Sequence, residues 1–247
     1  MNSRYITLEE LMKRVISLLL MPLVTARRLA KYIIFRRRYS LSHLALLDEV
    51  PPGPIQIDDA LFLYALVKEV DPKTIVEFGF FLGHSAINFL KSMSKDARLY
   101  SYDIWDASKQ AATRIKDPRF KFLFKSQTDF EPADIDNRTV DLAFFDAAHD
   151  FDLNVRTFDK LRDSLAEKAL MVVHDTGAWY VNQKGPKTEE GYFLNGSATV
   201  YIHHPGERRF VNYIKTIGTF DQVHLHCSSN FRPGLTVIQK NSSLLPL

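Results

Sequence analysis

The chain reads as an α/β protein: a mostly parallel, seven-stranded sheet covered on both faces by helices and finished by an antiparallel hairpin. Three observations predict this. Apolar, β-rich runs near 74–80, 98–104, 120–126, 140–147 and 169–176 alternate with helical stretches. Near-continuous apolar strands of that kind are buried on both faces, as parallel strands are. Gln222 to Cys227 and Leu235 to Gln239 then read as two strands joined by the short segment Ser228 to Gly234, and so short a link requires antiparallel pairing. Finally, Thr74 to Ser85 runs a strand, a glycine turn and a helix start in direct succession.

Composition frames the reading. At 247 residues and 46% hydrophobic, the chain can build one substantial core. A net charge of +3 is too small to imply nucleic acid as a partner. The lone Cys227 excludes an internal disulfide and fits a reducing, cytoplasmic setting.

Residues 1–50 differ from the rest and are read as a basic, helical extension, with helices near 7–21 and 24–37. Residues 51–247 form the main domain, the boundary falling at Pro51-Pro52-Gly53-Pro54. The apolar run Val15–Val24, broken by Pro22, is too short for the roughly 20 residues that span a bilayer. Val24-Thr25-Ala26 looks like a signal-peptidase site, but Glu9 and Glu10 stand where such a leader is basic. The preferred expectation is docking of the apolar helix faces on the main domain, on a second copy of the chain in a homodimer, or on a membrane surface. Ile33, Ile34 and Phe35 beside Arg36, Arg37 and Arg38 suit peripheral membrane contact, and a solvated basic face is the alternative.

After this boundary, Asp58 or Asp59 caps a helix reaching Val70, and Asp71-Pro72 stops it. Ile75, Val76 and Phe78 make the first strand, and Gly79 and Gly83 bracket the turn. Ala86, Ile87, Phe89 and Leu90 then recur at helical spacing. Such a unit sets backbone N–H groups at a helix N-terminus beside a strand end, where small or nucleotide-like ligands bind. A dinucleotide fingerprint would need G-x-G-x-x-G, but Phe81 occupies its second glycine position. With the carboxylate of Glu77 also close by, a cofactor carrying positive charge suits the turn better than a diphosphate. Further along, the strand 98–104 delivers Asp103. The runs 140–147 and 169–176 bring Asp146 and His149, then His174 and Asp175, to the same carboxyl edge, where open α/β sheets bind ligands.

At this point the chain resembles the class I S-adenosylmethionine (SAM)-dependent methyltransferases, with their Rossmann-like three-layer sandwich. It is most similar to the small O-methyltransferases of the catechol type and to relatives acting on sugars and other hydroxylated metabolites. The likeness spans roughly 55–240. Glu77-Phe78-Gly79 through Gly83-His84-Ser85-Ala86 looks like the family's first motif, E-x-G-x-x-x-G-x-S-A. The resemblance implies that Glu77, Gly79, Phe81, Gly83, His84 and Ser85 lie along the methionine part of SAM. It implies that Asp103 holds the ribose hydroxyls, with Asp106 as a weaker substitute, and that Ser126 and Gln127 border the adenine. Asp146 is implied beside the cofactor as well. In metal-dependent relatives, acids after the fourth and fifth strands hold a divalent ion, which would here give Asp146, His174 and Asp175. His174 stands where an acid is usual, which sets Mg²⁺ in doubt and leaves Mn²⁺, Fe²⁺ or no metal. His149 lies three residues after Asp146, at the spacing of the family's catalytic lysine, and is the expected general base, with His174 second.

The acceptor is expected to be a hydroxylated small molecule, glycan or glycolipid. The segment between Gly177 and Gly196, with Trp179, Tyr180, Lys184, Lys187, Tyr192 and Phe193, reads as a lid over it. His203-His204 and His224-x-His226 resemble metal pairs but are expected to be structural. Two other functions compete: a non-catalytic SAM- or nucleotide-binding partner protein, and an NAD-dependent oxidoreductase, against which Phe81 and the terminal hairpin argue.

Overall fold

A computed structural model describes residues 57–176, 205–225 and 234–241, with Ala30, Ile55 and the short strands 192–193 and 201–202. The chain divides into two compact units, Met1–His43 and Leu44–Leu247. Apart from Ala30, every described residue belongs to the second, and the expected helices at 7–21 and 24–37 otherwise lie outside the described residues.

Helix α1 (Ile57–Val70) leads into β1 (Thr74–Phe78), α2 (His84–Ser92), β2 (Arg98–Asp103), α3 (Asp106–Ala112) and β3 (Phe120–Phe124). Then follow β4 (Val140–Phe145), α4 (Phe151–Leu161), β5 (Leu165–His174), β6 (Tyr192–Phe193) and β7 (Tyr201–Ile202). Helix α5 (Pro205–Ile217) and strands β8 (Phe220–Leu225) and β9 (Leu235–Lys240) complete the series. Seven strands form one sheet in the order β3-β2-β1-β4-β5-β9-β8, while β6 and β7 pair separately. The first five run parallel, and β9 lies antiparallel to both β5 and β8. This is the expected architecture, hairpin included.

Alternation along the strands divides the core in two. Val76, Phe78, Tyr100 and Tyr102 meet Phe158 of α4 and Phe210 of α5 on one face. Ile75 and Leu99 meet Leu63 of α1, Phe89 of α2 and Ala111 of α3 on the other. Both faces of the central strands are therefore covered, and all five residues of β1 are buried.

Strand ends differ from expectation in an informative way. Four of the five parallel strands stop two residues short of the apolar run, and β2 one short, so Gly79, Asp146 and Asp175 sit in the connections that leave the sheet. Strand β5 begins at Leu165 rather than 169, paired to Val140 across a register irregularity, and its exposed Glu167 and Lys168 hide this start from an apolar pattern. The chain proceeds outward from β1 on one side and from β4 on the other. Their shared edge is the switch point where open α/β sheets form a ligand crevice.

Candidate active site

At that switch point β1 and β4 leave the sheet almost touching. The Asp146 amide donates to the Phe78 carbonyl at 2.8 Å. Gly79 has φ +100°, and a Cβ there would lie 2.1 Å from the Asp146 carbonyl oxygen, so only glycine permits the crossing. Beneath the turn, Glu77 is fully buried and accepts hydrogen bonds from the hydroxyls of Ser85 and Ser101. Burial raises its carboxyl to about 7, against the partial opposition of those two hydroxyls.

Asp103 ends β2 as a clasp. Its Oδ2 accepts the Phe81 amide at 2.7 Å and its Oδ1 accepts the Trp105 amide at 2.8 Å. Phe81 is held in the left-handed region at φ 50°, an uncommon conformation for a bulky residue and one that concentrates at functional turns. The Phe81 and Trp105 rings stack, centroids 5.0 Å apart and 11° from parallel. Ile104, 69% exposed, adds to this open apolar surface beside the carboxylate. Two oxygens carry about four lone-pair sites, so Asp103 retains acceptor capacity beyond the two amides.

Beyond the Gly79–Asp146 crossing lies a connected chain of acids and imidazoles. His174, nearly buried, places Nδ1 3.0 Å from Asp146 Oδ1 and 3.4 Å from Asp175 Oδ1, with Nε2 3.5 Å from Asp59 Oδ2. His149 places Nε2 3.7 Å from Asp175 Oδ2 and Nδ1 2.8 Å from Glu207 Oε1. Burial pushes both imidazoles down, yet the surrounding carboxylates outweigh it. Asp146 and Asp175 hold His174 well above the ordinary range, and Glu207 leads in raising His149. Asp175 adopts φ 58°, a second strained non-glycine conformation at this rim.

Asp103 and His174 end β2 and β5, while Asp146, His149 and Asp175 lie in the connections that follow β4 and β5, so all five sit at the carboxyl edge. The other expected cofactor residues are placed as follows. Glu77 is fully buried, with its oxygens held by the Ser85 and Ser101 hydroxyls beneath the turn. His84 and Ser85 are buried in the first turn of α2. Ser126 caps the 3-10 turn Gln127–Asp129, and Gln127 is buried with Nε2 donating to Asn154 at 3.1 Å. Asp106 is exposed at the start of α3. Asp59 does not cap α1 but lies within it, fully buried and turned to His174.

Asp59 as a site residue, and Glu207 altogether, escaped the reading of the sequence, although each left a signal. Asp59 precedes the buried Leu63 by one helical turn, and Glu207 shares a face with buried Phe210, Val211 and Ile214. A carboxylate on the apolar stripe of a helix needs a buried partner. The lid segment lies outside the described residues except Tyr192–Phe193, which pairs with Tyr201–Ile202. Lys184, Lys187, His203, His204, His226 and Cys227 also lie outside them, while His224 on β8 bonds Thr236 at 2.9 Å.

Residues 76–176, which carry the glycine turn, Asp103, Asp146 and the His174–Asp175 pair, match a family model described as a methyltransferase domain. No curated protein matches the chain. Among solved structures, an O-methyltransferase from Bacillus cereus in complex with SAH is 18% identical, with a TM-score of 0.60 over 81% of this chain and 91% of that one. The O-methyltransferase TomG from Streptomyces achromogenes, involved in tomaymycin synthesis and in complex with SAM, is 15% identical, with a TM-score of 0.54 over 81% and 88%. Cofactor-bound Rv0187 from MTB is 15% identical, with a TM-score of 0.61 over 87% and 97%. At these identities the likeness is one of fold, and the fold is that of class I methyltransferases. The segment holding the site is thus similar to a methyltransferase domain in sequence pattern.

Proposed function

We propose that the protein is a SAM-dependent O-methyltransferase acting on a hydroxylated small molecule, with sugars and glycolipids among the candidate acceptors. One observation carries this: the glycine turn and Asp103 lie at the same carboxyl edge of the sheet as the acid–imidazole chain, with Gly79 packed against the Asp146 backbone. The residues present fit the cofactor. Asp103 has lone pairs for a ribose diol, Phe81, Ile104 and Trp105 offer apolar surface for a base, and Phe81 obstructs the diphosphate of a dinucleotide. When bound, SAM supplies an electrophilic methyl group on a positively charged sulfur.

The protein's own task is then alignment and proton removal. His149, part-exposed at the edge, takes the acceptor hydroxyl's proton at Nε2, and His174 is the alternative base. Asp146, His174 and Asp175 can bring ligand atoms within 4.8 Å of one another, and their mixed oxygen and nitrogen donors fit Mn²⁺ or Fe²⁺ better than Mg²⁺. Asp59 against the far nitrogen of His174 is the carboxylate backing that metal-bound imidazoles use. Such an ion would lower the pKa of an acceptor hydroxyl lying beside it.

Support for a sugar-like acceptor is the aromatic and basic composition of 177–196, and the basic extension supports contact with a membrane surface. Among the described residues no helix is long and apolar enough to cross a membrane. Labelled methyl transfer from SAM to a panel of phenols, catechols and sugars tests the reading, with and without EDTA. Transfer should occur and should fall about tenfold or more in His149→Ala or His174→Ala. Transfer to no acceptor, with SAM bound, would favour a non-catalytic partner protein; full activity in EDTA would remove the metal.

A further inference from the structure

Helix α5 comes after the matched methyltransferase segment, yet its first turn reaches into the site. A Cβ on Gly206 would sit 2.5 Å from the His149 carbonyl oxygen, so the turn is packed against the His149 backbone itself. The next residue, Glu207, is 2% exposed and holds His149 Nδ1 at 2.8 Å. Its other oxygen, Oε2, has no hydrogen-bond partner among the described residues. One residue further on, Arg208 donates to the Thr176 carbonyl at 3.1 Å, tying the same turn to the connection that follows β5. Three consecutive residues thus bolt α5 to the two connections that carry His149 and Asp175.

An acid in a helix's first turn has an ordinary use, which is to face the positive end of the helix dipole. That use is served in water and gives no reason for burial. A buried carboxylate is costly unless it is paired, and the imidazole of His149 is the pair that Glu207 finds. Burial raises the Glu207 carboxyl, and the hydrogen bond and charge of His149 oppose that rise. The contact is therefore specific to His149.

We infer that Glu207 is a positioning residue for His149: it accepts the Nδ1–H, fixes the ring's orientation and tautomer, and leaves Nε2 with a lone pair facing the crevice beside Asp175. This rests on the reading of His149 as the base. The proton that leaves the acceptor's O–H bond then goes to Nε2, the bonding pair stays on oxygen, and Nδ1–H remains donated to Glu207. Which imidazole nitrogen carries the proton is set by the hydrogen bond made by the other, and the arrangement is the acid–histidine orientation known from unrelated hydrolytic sites.

Long-range ¹H–¹⁵N correlation spectra of the purified full-length protein, at alkaline pH where the ring is neutral, read the tautomer directly. The His149 signals are assigned by their loss in His149→Gln. Wild type should show the Nδ1–H form, Glu207→Leu should move the ring toward Nε2–H, and Glu207→Gln, whose amide oxygen still accepts, should retain the wild-type form. In turnover, Glu207→Leu should lower kcat about tenfold while the Kd for S-adenosylhomocysteine changes less than about twofold, with Glu207→Gln recovering most of the loss. An unchanged tautomer in Glu207→Leu overturns the inference. Should that variant not fold, an Nε2–H ring in the wild-type spectrum overturns it alone. No acceptor or SAM enters the spectra, so this outcome is separate from whether the protein transfers methyl groups.

Discussion

Glu77 is fully buried, and both its oxygens are taken by serine hydroxyls of other elements. Its raised value, about 7 against an ordinary 4.5, means that the fold favours the neutral acid. The corresponding stability is fully present below about 4.5 and is lost as pH rises through about 7. The linkage is worth about 3 kcal/mol in order of magnitude. Glu77→Gln, which is neutral at every pH, should therefore flatten the stability profile. In urea unfolding between pH 5 and 8, the wild type should lose more stability than this variant. Parallel profiles would mean that Glu77 is ionised throughout. For function, its place is to lock the glycine turn through Ser85 and β2 through Ser101, which couples the two elements that would hold the cofactor.

Among elements, the turn after β1 is the most constrained, because it passes against the backbone end of β4. Gly79→Ala would place a methyl inside the Asp146 carbonyl and force a residue with a Cβ to φ +100°. A loss of about 2–3 kcal/mol of stability follows from strain of this kind. Thermal unfolding measures it, and a variant as stable as wild type would contradict the close crossing. This turn was legible in the sequence because glycine spacing reports backbone geometry directly. The carboxyl-edge residues Asp103, Asp146, His149, His174 and Asp175 were legible for a related reason: each follows an apolar run that must be a buried strand. Asp59 and Glu207 were harder to read. Each sits on a helix whose partner is set only by three-dimensional packing, and a single acid on an apolar stripe names no partner. Strand ends were overrun for a different reason, since apolar residues such as Phe80 continue to pack after the ladder stops.

At the scale of the whole molecule, the sheet brings two kinds of chemistry to one edge. The β1–β2 side offers a carboxylate with spare acceptor capacity and exposed aromatic surface, suited to a nucleoside. The β4–β5 side, braced by α1 and α5 through Asp59 and Glu207, offers imidazoles and carboxylates suited to moving a proton. Methyl transfer needs both in one crevice. The central claim is that the glycine turn and Asp103 recognise a sulfonium nucleoside rather than a dinucleotide. Isothermal calorimetry of the full-length protein with SAM, S-adenosylhomocysteine and NAD tests it most directly. The first two should bind and NAD should not, with Asp103→Ala weakening SAM by about 10- to 100-fold through loss of charge-assisted hydrogen bonds. Binding of NAD in preference to SAM, or SAM affinity untouched by Asp103→Ala, would contradict it.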